Sequence, residues 1–180
     1  MNTEKIKENT RNILAALPED ITLVAAAKSR TPEEVEAVIS AGVTCVGHNY
    51  VQEAERMILA VGHDVQWHMI GHLQRNKAKE AVQFFDMIET VDSLRLAVKL
   101  NRYCAAVGKV MPVLVEINSG REARKTGVLP EEVDDLVRRL SELPFIHVQG
   151  LMTMGPRFGD PEDARPYFRA TRTTFERLAT

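Results

Sequence analysis

Residues 21–42, ITLVAAAKSRTPEEVEAVISAG, carry an apolar run, a lysine and a helix start, in that order. The run at 21–27 is short and rich in Val, Ile and Leu, the pattern of a buried strand. Thr31-Pro32-Glu33-Glu34 then opens a helix: Thr31 can cap the free amides, Pro32 suits the first helical position, and Glu34 completes a capping box. The helix is expected to reach Ala41, with Gly42 ending it. Lys28 falls between the two elements, at the strand's end. Alternation along the strand points it the same way as Val24 and Ala26.

The same rhythm continues on both sides of this stretch. An amphipathic helix is predicted at 3–17. Strands are predicted at 43–47, 65–70, 86–90, 110–117 and 145–152, and helices at 50–60, 74–83, 92–107, 131–142 and 162–178. Asp160-Pro161 opens the last helix, with Asp163 at its third position. Six strands in alternation with helices predict an α/β fold with parallel strands and right-handed crossovers. Periodicity leaves two architectures open, a doubly wound sheet and a β/α barrel. A complete barrel takes about 250 residues, so at roughly 25 residues per unit this chain is expected to hold six of the eight βα units. No linker or low-complexity stretch interrupts the pattern, and residues 1–180 are read as a single domain.

Composition narrows the class. Of 180 residues, 44% are hydrophobic and 27% charged, as in an ordinary packed domain. The net charge of -2 arises from interspersed acids and bases and offers no basic face for nucleic acid or anionic lipid. No apolar run approaches the roughly 20 residues that span a bilayer, and the polar start MNTEKIKENTRNI does not read as a signal peptide. A cytoplasmic protein with neither membrane nor nucleic-acid partners is expected. Cys45 and Cys104 stand in unrelated segments without ligand spacing and are read as reduced core thiols.

Several side chains could carry chemistry. A lysine partly desolvated at the mouth of an apolar barrel is a nucleophilic amine toward aldehydes, whereas an ordinary strand-end lysine is simply solvated. His68 alternates onto one face with Ile70, opposite Trp67 and Met69. It could face a ligand or be a core histidine satisfied by a neighbouring strand. His68 and His72 have a spacing that chelates metal on a helix, but Gly71 and the strand break that geometry. His48, just past the second strand, reads as an exposed rim residue. Glu122 and Lys125 could form an exposed ion pair. Gly120 through Lys125-Thr126 resembles half of a phosphate-binding loop, with Arg124 where the second glycine belongs, and nucleotide hydrolysis is rejected on that ground. Met152 and Met154 end the sixth strand; a methionine there suits either the core or a flat aromatic ligand.

Six blocks, VAAAKSRTPEEVEAVISAG, GHNYVQEA, WHMIGHLQRNKAKEAV, VDSLRLA, EINSGREARKTGV and VQGLMTM, resemble in order and spacing the pyridoxal phosphate homeostasis protein family. That family is a single-barrel relative of the N-terminal domain of alanine racemase. The resemblance runs from about residue 4 to the end of the chain. It implies a TIM-type barrel, here lacking the last two βα units, whose segments hold the cofactor's phosphate and ring nitrogen in relatives. It implies that Lys28 carries pyridoxal 5'-phosphate as an imine (Schiff base), and that Asn49, His68, Asn118 and Met152 contribute to cofactor binding. The pattern N-x-x-x-E-x-x-K-x-G is matched by Asn118, Glu122, Lys125 and Gly127. GHNY departs from the family in carrying His48 where most relatives have glutamate. The function implied is a non-enzymatic carrier or buffer of the cofactor, with client enzymes as possible partners. The complete family form is expected to be a monomer, and a six-stranded form to self-associate through open edges. An amino-acid racemase or decarboxylase and a non-binding fragment are the alternatives. No metal is expected.

Overall fold

A computed structural model describes residues 3–123, 125–155 and 159–179. After α1 (Thr3–Ala16), strands and helices alternate: β1 (Val24–Ala26), α2 (Pro32–Ser40), β2 (Cys45–His48), α3 (Val51–Val61), β3 (Gln66–Met69), α4 (Ala78–Phe84), β4 (Met87–Val91), α5 (Leu94–Val107), β5 (Met111–Ile117), α6 (Val133–Ser141), β6 (Ile146–Thr153) and α7 (Arg165–Leu178). Short 3-10 turns lead into α4, α6 and α7. The two helix starts expected from sequence are present. Thr31 and Glu34 form a reciprocal capping box on α2, and Asp160 and Asp163 form one at the turn before α7.

All six strands are parallel and lie in chain order, β1 to β6. A doubly wound sheet reverses its strand order at a switch point; this one never does, so it forms a barrel wall. Among the described residues, β1 and β6 each pair on one side only.

Register assigns the two faces. Val46 stands beside Trp67, and Met69 beside Ile88, with Ile88 beside Val113. These residues, with Val115, are 0–1% exposed and form the core with the helices. Trp67 anchors this outer face by donating Nε1–H to the Gly62 carbonyl at the end of α3, at 3.0 Å. On the inner face, Ala26 stands beside Gly47, Gly47 beside His68, and Glu116 beside Met152. Ala26 is exposed there, and Met87, Leu114 and Met152 are half-buried.

Two expectations need correction. The first strand covers only Val24–Ala26, with Ile21 and Thr22 exposed before it. The Ile21 amide bonds back to Pro18, which holds that stretch in a turn instead of a ladder. The second strand runs one residue further than expected and takes in His48. His48 therefore follows Val46 onto the outer face and is 1% exposed, its ring 6.0 Å from that of Trp67, in place of the exposed rim position expected.

Candidate functional site

Lys28 lies beyond β1, in a tight turn closed by the Arg30 amide on the Ala27 carbonyl at 3.1 Å. The Ala27 amide bonds to the Gly47 carbonyl at 2.9 Å and ties the base of this turn to β2. Ser29 sits at φ 59°, a left-handed conformation that L-residues adopt at a cost of about 1 kcal/mol. The backbone under Lys28 is thus fixed, while its side chain is exposed. This corrects the reading of Lys28 as partly desolvated: the strand ends two residues before the lysine, and no strand among the described residues encloses the amine.

Beside this turn, the inner face offers small residues and then a polar pair. Ala26 is small and exposed, the Ile70 side chain packs over Gly47 so closely that a Cβ there would lie 2.7 Å from it, and His68 follows on the next strand. His68 is 7% exposed, and its Nδ1 lies 2.6 Å from Glu89 Oε1. The carboxylate accepts from Nδ1–H, which fixes the ring's orientation and leaves Nε2 for another partner. The inner-face position foreseen for His68 agrees with the register, and so does the opposite placing of Trp67 and Met69. Glu89 was not foreseen. The only signal for it was an acid at an alternating position of the strand MIET.

Further along the face, Glu116 is buried at 7% exposure, and its Oε1 accepts from the Thr126 hydroxyl at 2.7 Å. Its Oε2 has no hydrogen-bond partner among the described residues. Burial pushes this carboxyl above the usual range, partly offset by the Thr126 hydroxyl. Met152 is half-buried on β6 beside Glu116 and closes the row, whereas Met154 is 62% exposed.

The remaining sequence candidates frame the rim. Asn49 follows β2 directly; its backbone packs so closely on Gly71 that a Cβ there would overlap the Asn49 carbonyl. Asn118 is 8% exposed and braces its own loop: Nδ2 donates to the Glu122 carbonyl at 2.9 Å, and Oδ1 accepts from the Glu122 amide at 3.0 Å. Gly127, at φ 102°, completes the brace, because a Cβ would come within 2.6 Å of the Asn118 amide nitrogen. Lys125 pairs with Glu122 at 2.5 Å and also donates to the Gly155 carbonyl at 3.1 Å, linking this loop to the end of β6. Arg124, the residue that spoils the phosphate-loop pattern, lies outside the described residues. Nor do three or more His, Cys, Asp or Glu side chains converge as a metal site among the described residues. His72 is instead paired with Asp92 at 3.5 Å. Cys45 and Cys104 are buried free thiols, and burial with nearby Glu89 and Asp86 pushes Cys45 up to about 12.

A barrel wall with a lysine on its rim and a histidine–carboxylate pair inside invites comparison with known proteins. The family model described as alanine racemase, N-terminal domain, matches residues 1–180. The chain belongs to that family. Within it, the pyridoxal phosphate homeostasis protein of Aquifex aeolicus is 37% identical over 157 residues, 87% of this chain and 69% of that protein. The one from Pasteurella multocida is 32% identical over 183 residues, 98% of this chain and 78% of its own length. PipY of Synechococcus elongatus, determined without PLP, superposes with a TM-score of 0.90 at 29% identity, covering 96% of this chain and 81% of its own. The same protein with PLP bound gives 0.87. Alanine racemase from Clostridium difficile, at 18% identity and TM-score 0.79, shares the fold over 99% of this chain and 48% of its own length. The alanine racemase-type barrel expected from the sequence is therefore the fold of this chain. No helix among the described residues is long and apolar enough to cross a membrane.

Proposed function

We propose that the chain binds pyridoxal 5'-phosphate covalently through Lys28 and carries or buffers it for client enzymes, without turning over amino acids. The observation that carries this reading is a lysine on a fixed turn beside an inner face that is apolar at Ala26 and Ile70 and polar at His68. The names of the relatives and the PLP-bound PipY structure support it. When bound, the cofactor supplies an aldehyde with which a lysine amine condenses. The residues fit that group. Lys28 reaches it from solvent, exposed Ala26 beside the turn and the Ile70 side chain over Gly47 offer an apolar surface to a planar ring, His68 Nε2 offers a polar contact, and Met152 offers a polarizable one. Asn49 stands at the rim beside them, and Asn118 acts by holding the loop after β5. A lysine that stays exposed suits loading and release better than protected turnover, which works best when water is excluded.

The test is borohydride trapping with peptide mapping. A pyridoxyl label on Lys28 is expected, and a label on Lys77, Lys79 or Lys125 with Lys28 unmodified would sink the assignment. Adding amino acids to the loaded protein tests the carrier reading, since racemised or decarboxylated product would make it an enzyme. Expressed as these 180 residues, the chain is also expected to self-associate through the unpaired sides of β1 and β6. A single monomeric mass across a concentration series would refute that.

A further inference from the structure

A cleft of about 1060 Å³ opens between the loops that follow β3 and β4. Its walls include His72, Arg75, Ser93, Arg95, Val98 and Lys99, and neither Lys28 nor His68 lines it. One wall is α5, whose sequence LRLAVKLNRYCAAV contains three cations and no acid. Arg95, Lys99 and Arg102 recur at helical spacing along one side, while Leu96, Ala97, Leu100 and Cys104 on the other are buried in the core. Seven helical rises of 1.5 Å separate Arg95 from Arg102, a row about 10 Å long.

Arg75, Arg95, Lys99 and Arg102 meet no carboxylate among the described residues, Arg102 instead stacking over the Tyr103 ring at 5.1 Å from its centroid, whereas Arg138, Arg139, Arg165 and Arg172 each meet a carboxylate. The one acid lining the cleft, Asp92, lies 3.5 Å from His72. Val98, in the middle of the row, is 48% exposed. Three such cations line the cleft with this exposed valine, and Arg102 extends the row, on a chain of net charge -2.

We infer that this cleft, continued along α5, is a docking surface for an acidic segment of a partner protein. A lone phosphate or carboxylate spans a few ångströms and meets one or two of the cations; a row of this length matches negative charge repeated along a chain, and Val98 matches an apolar side chain within it. Nucleic acid repeats its charge too, but its sugar-phosphate backbone carries no aliphatic side chain to meet exposed Val98. Neither Lys28 nor His68 lines this surface, so the inference does not rest on cofactor binding.

The experiment measures anisotropy of a fluorescein-labelled, glutamate-rich peptide bearing one leucine, with its glutamine counterpart as control. R95E/K99E should weaken binding about tenfold or more. K5E/R11E, an equal charge change on α1, should stay within about twofold of the parent. Amide exchange on the unmodified protein provides a readout that does not depend on the variants' folding: the peptide should slow exchange at 72–76 and 92–102. Equal weakening by both double variants, equal binding of the glutamine peptide, or protection confined elsewhere would overturn the inference. So would displacement of the peptide by oligo-dT or inorganic phosphate at lower concentrations than unlabelled peptide requires.

Discussion

His48 and His68 stand on neighbouring strands, both nearly free of solvent, and lead opposite lives. His48 faces outward beneath the helices, where neither ring nitrogen has a hydrogen-bond partner among the described residues. Burial holds its imidazole below the ordinary histidine range, with Glu53 pulling weakly the other way. His68 faces inward, and Glu89 holds it at 2.6 Å. One face of the sheet excludes charge to make a dry core, and the other gathers polar groups over a concave, half-open surface. On the proposed reading, stability and cofactor binding are divided between two sides of the same six strands, and substitutions on each side should give opposite signatures.

The sharpest contrast is Lys28→Ala. Absorbance of the lysine-linked cofactor should vanish while stability stays within about 0.5 kcal/mol, as for other exposed positions. A large fall in Tm would mean that the turn depends on the lysine itself. Trp67→Ala should do the reverse, costing about 3–5 kcal/mol by emptying the outer core while the folded fraction still takes up cofactor. A loss near 1 kcal/mol in denaturant titration would break the claim that the outer face carries the fold.

The pH dependence sharpens the comparison further. The folded-state pKa of His48 is lowered, so as pH falls below about 6.5 the unfolded chain binds a proton that the native chain refuses. Its contribution is therefore full above that pH and lost toward acid, at no more than about 1.4 kcal/mol per pH unit. His48→Phe should flatten this part of the stability profile, and an unchanged slope would place the proton elsewhere. Glu116 works in the opposite direction. Its folded-state pKa is raised, so stability is lost as pH rises above the ordinary carboxylate value. Glu116→Gln should raise Tm at neutral pH and change little near pH 4; a lower Tm at both would show that the Thr126 contact needs the carboxylate.

Much of this division was legible in the sequence, and the exceptions have physical causes. Helix starts were readable at Thr31 and Asp160 because a capping box is a local event. The face of His68 was readable from alternation. The exposure of Lys28 was not, because it depends on where an edge strand with one neighbour stops pairing. His48 was misplaced by a single residue of strand length, enough to exchange one face for the other. Glu89 and Glu116 were invisible because an acid on a strand gains meaning only from the register that sets it beside a histidine or a threonine hydroxyl.

The left-handed Ser29 has a kinetic consequence. It fixes the root of Lys28 in the backbone and leaves the four-carbon stem free, so the amine samples its range by rotamer changes in picoseconds to nanoseconds. Catalytic sites that close a lid wait microseconds to milliseconds for it to move. On the proposed reading, the pace at which cofactor loads onto and leaves such a lysine would be set by bond making and breaking at the amine.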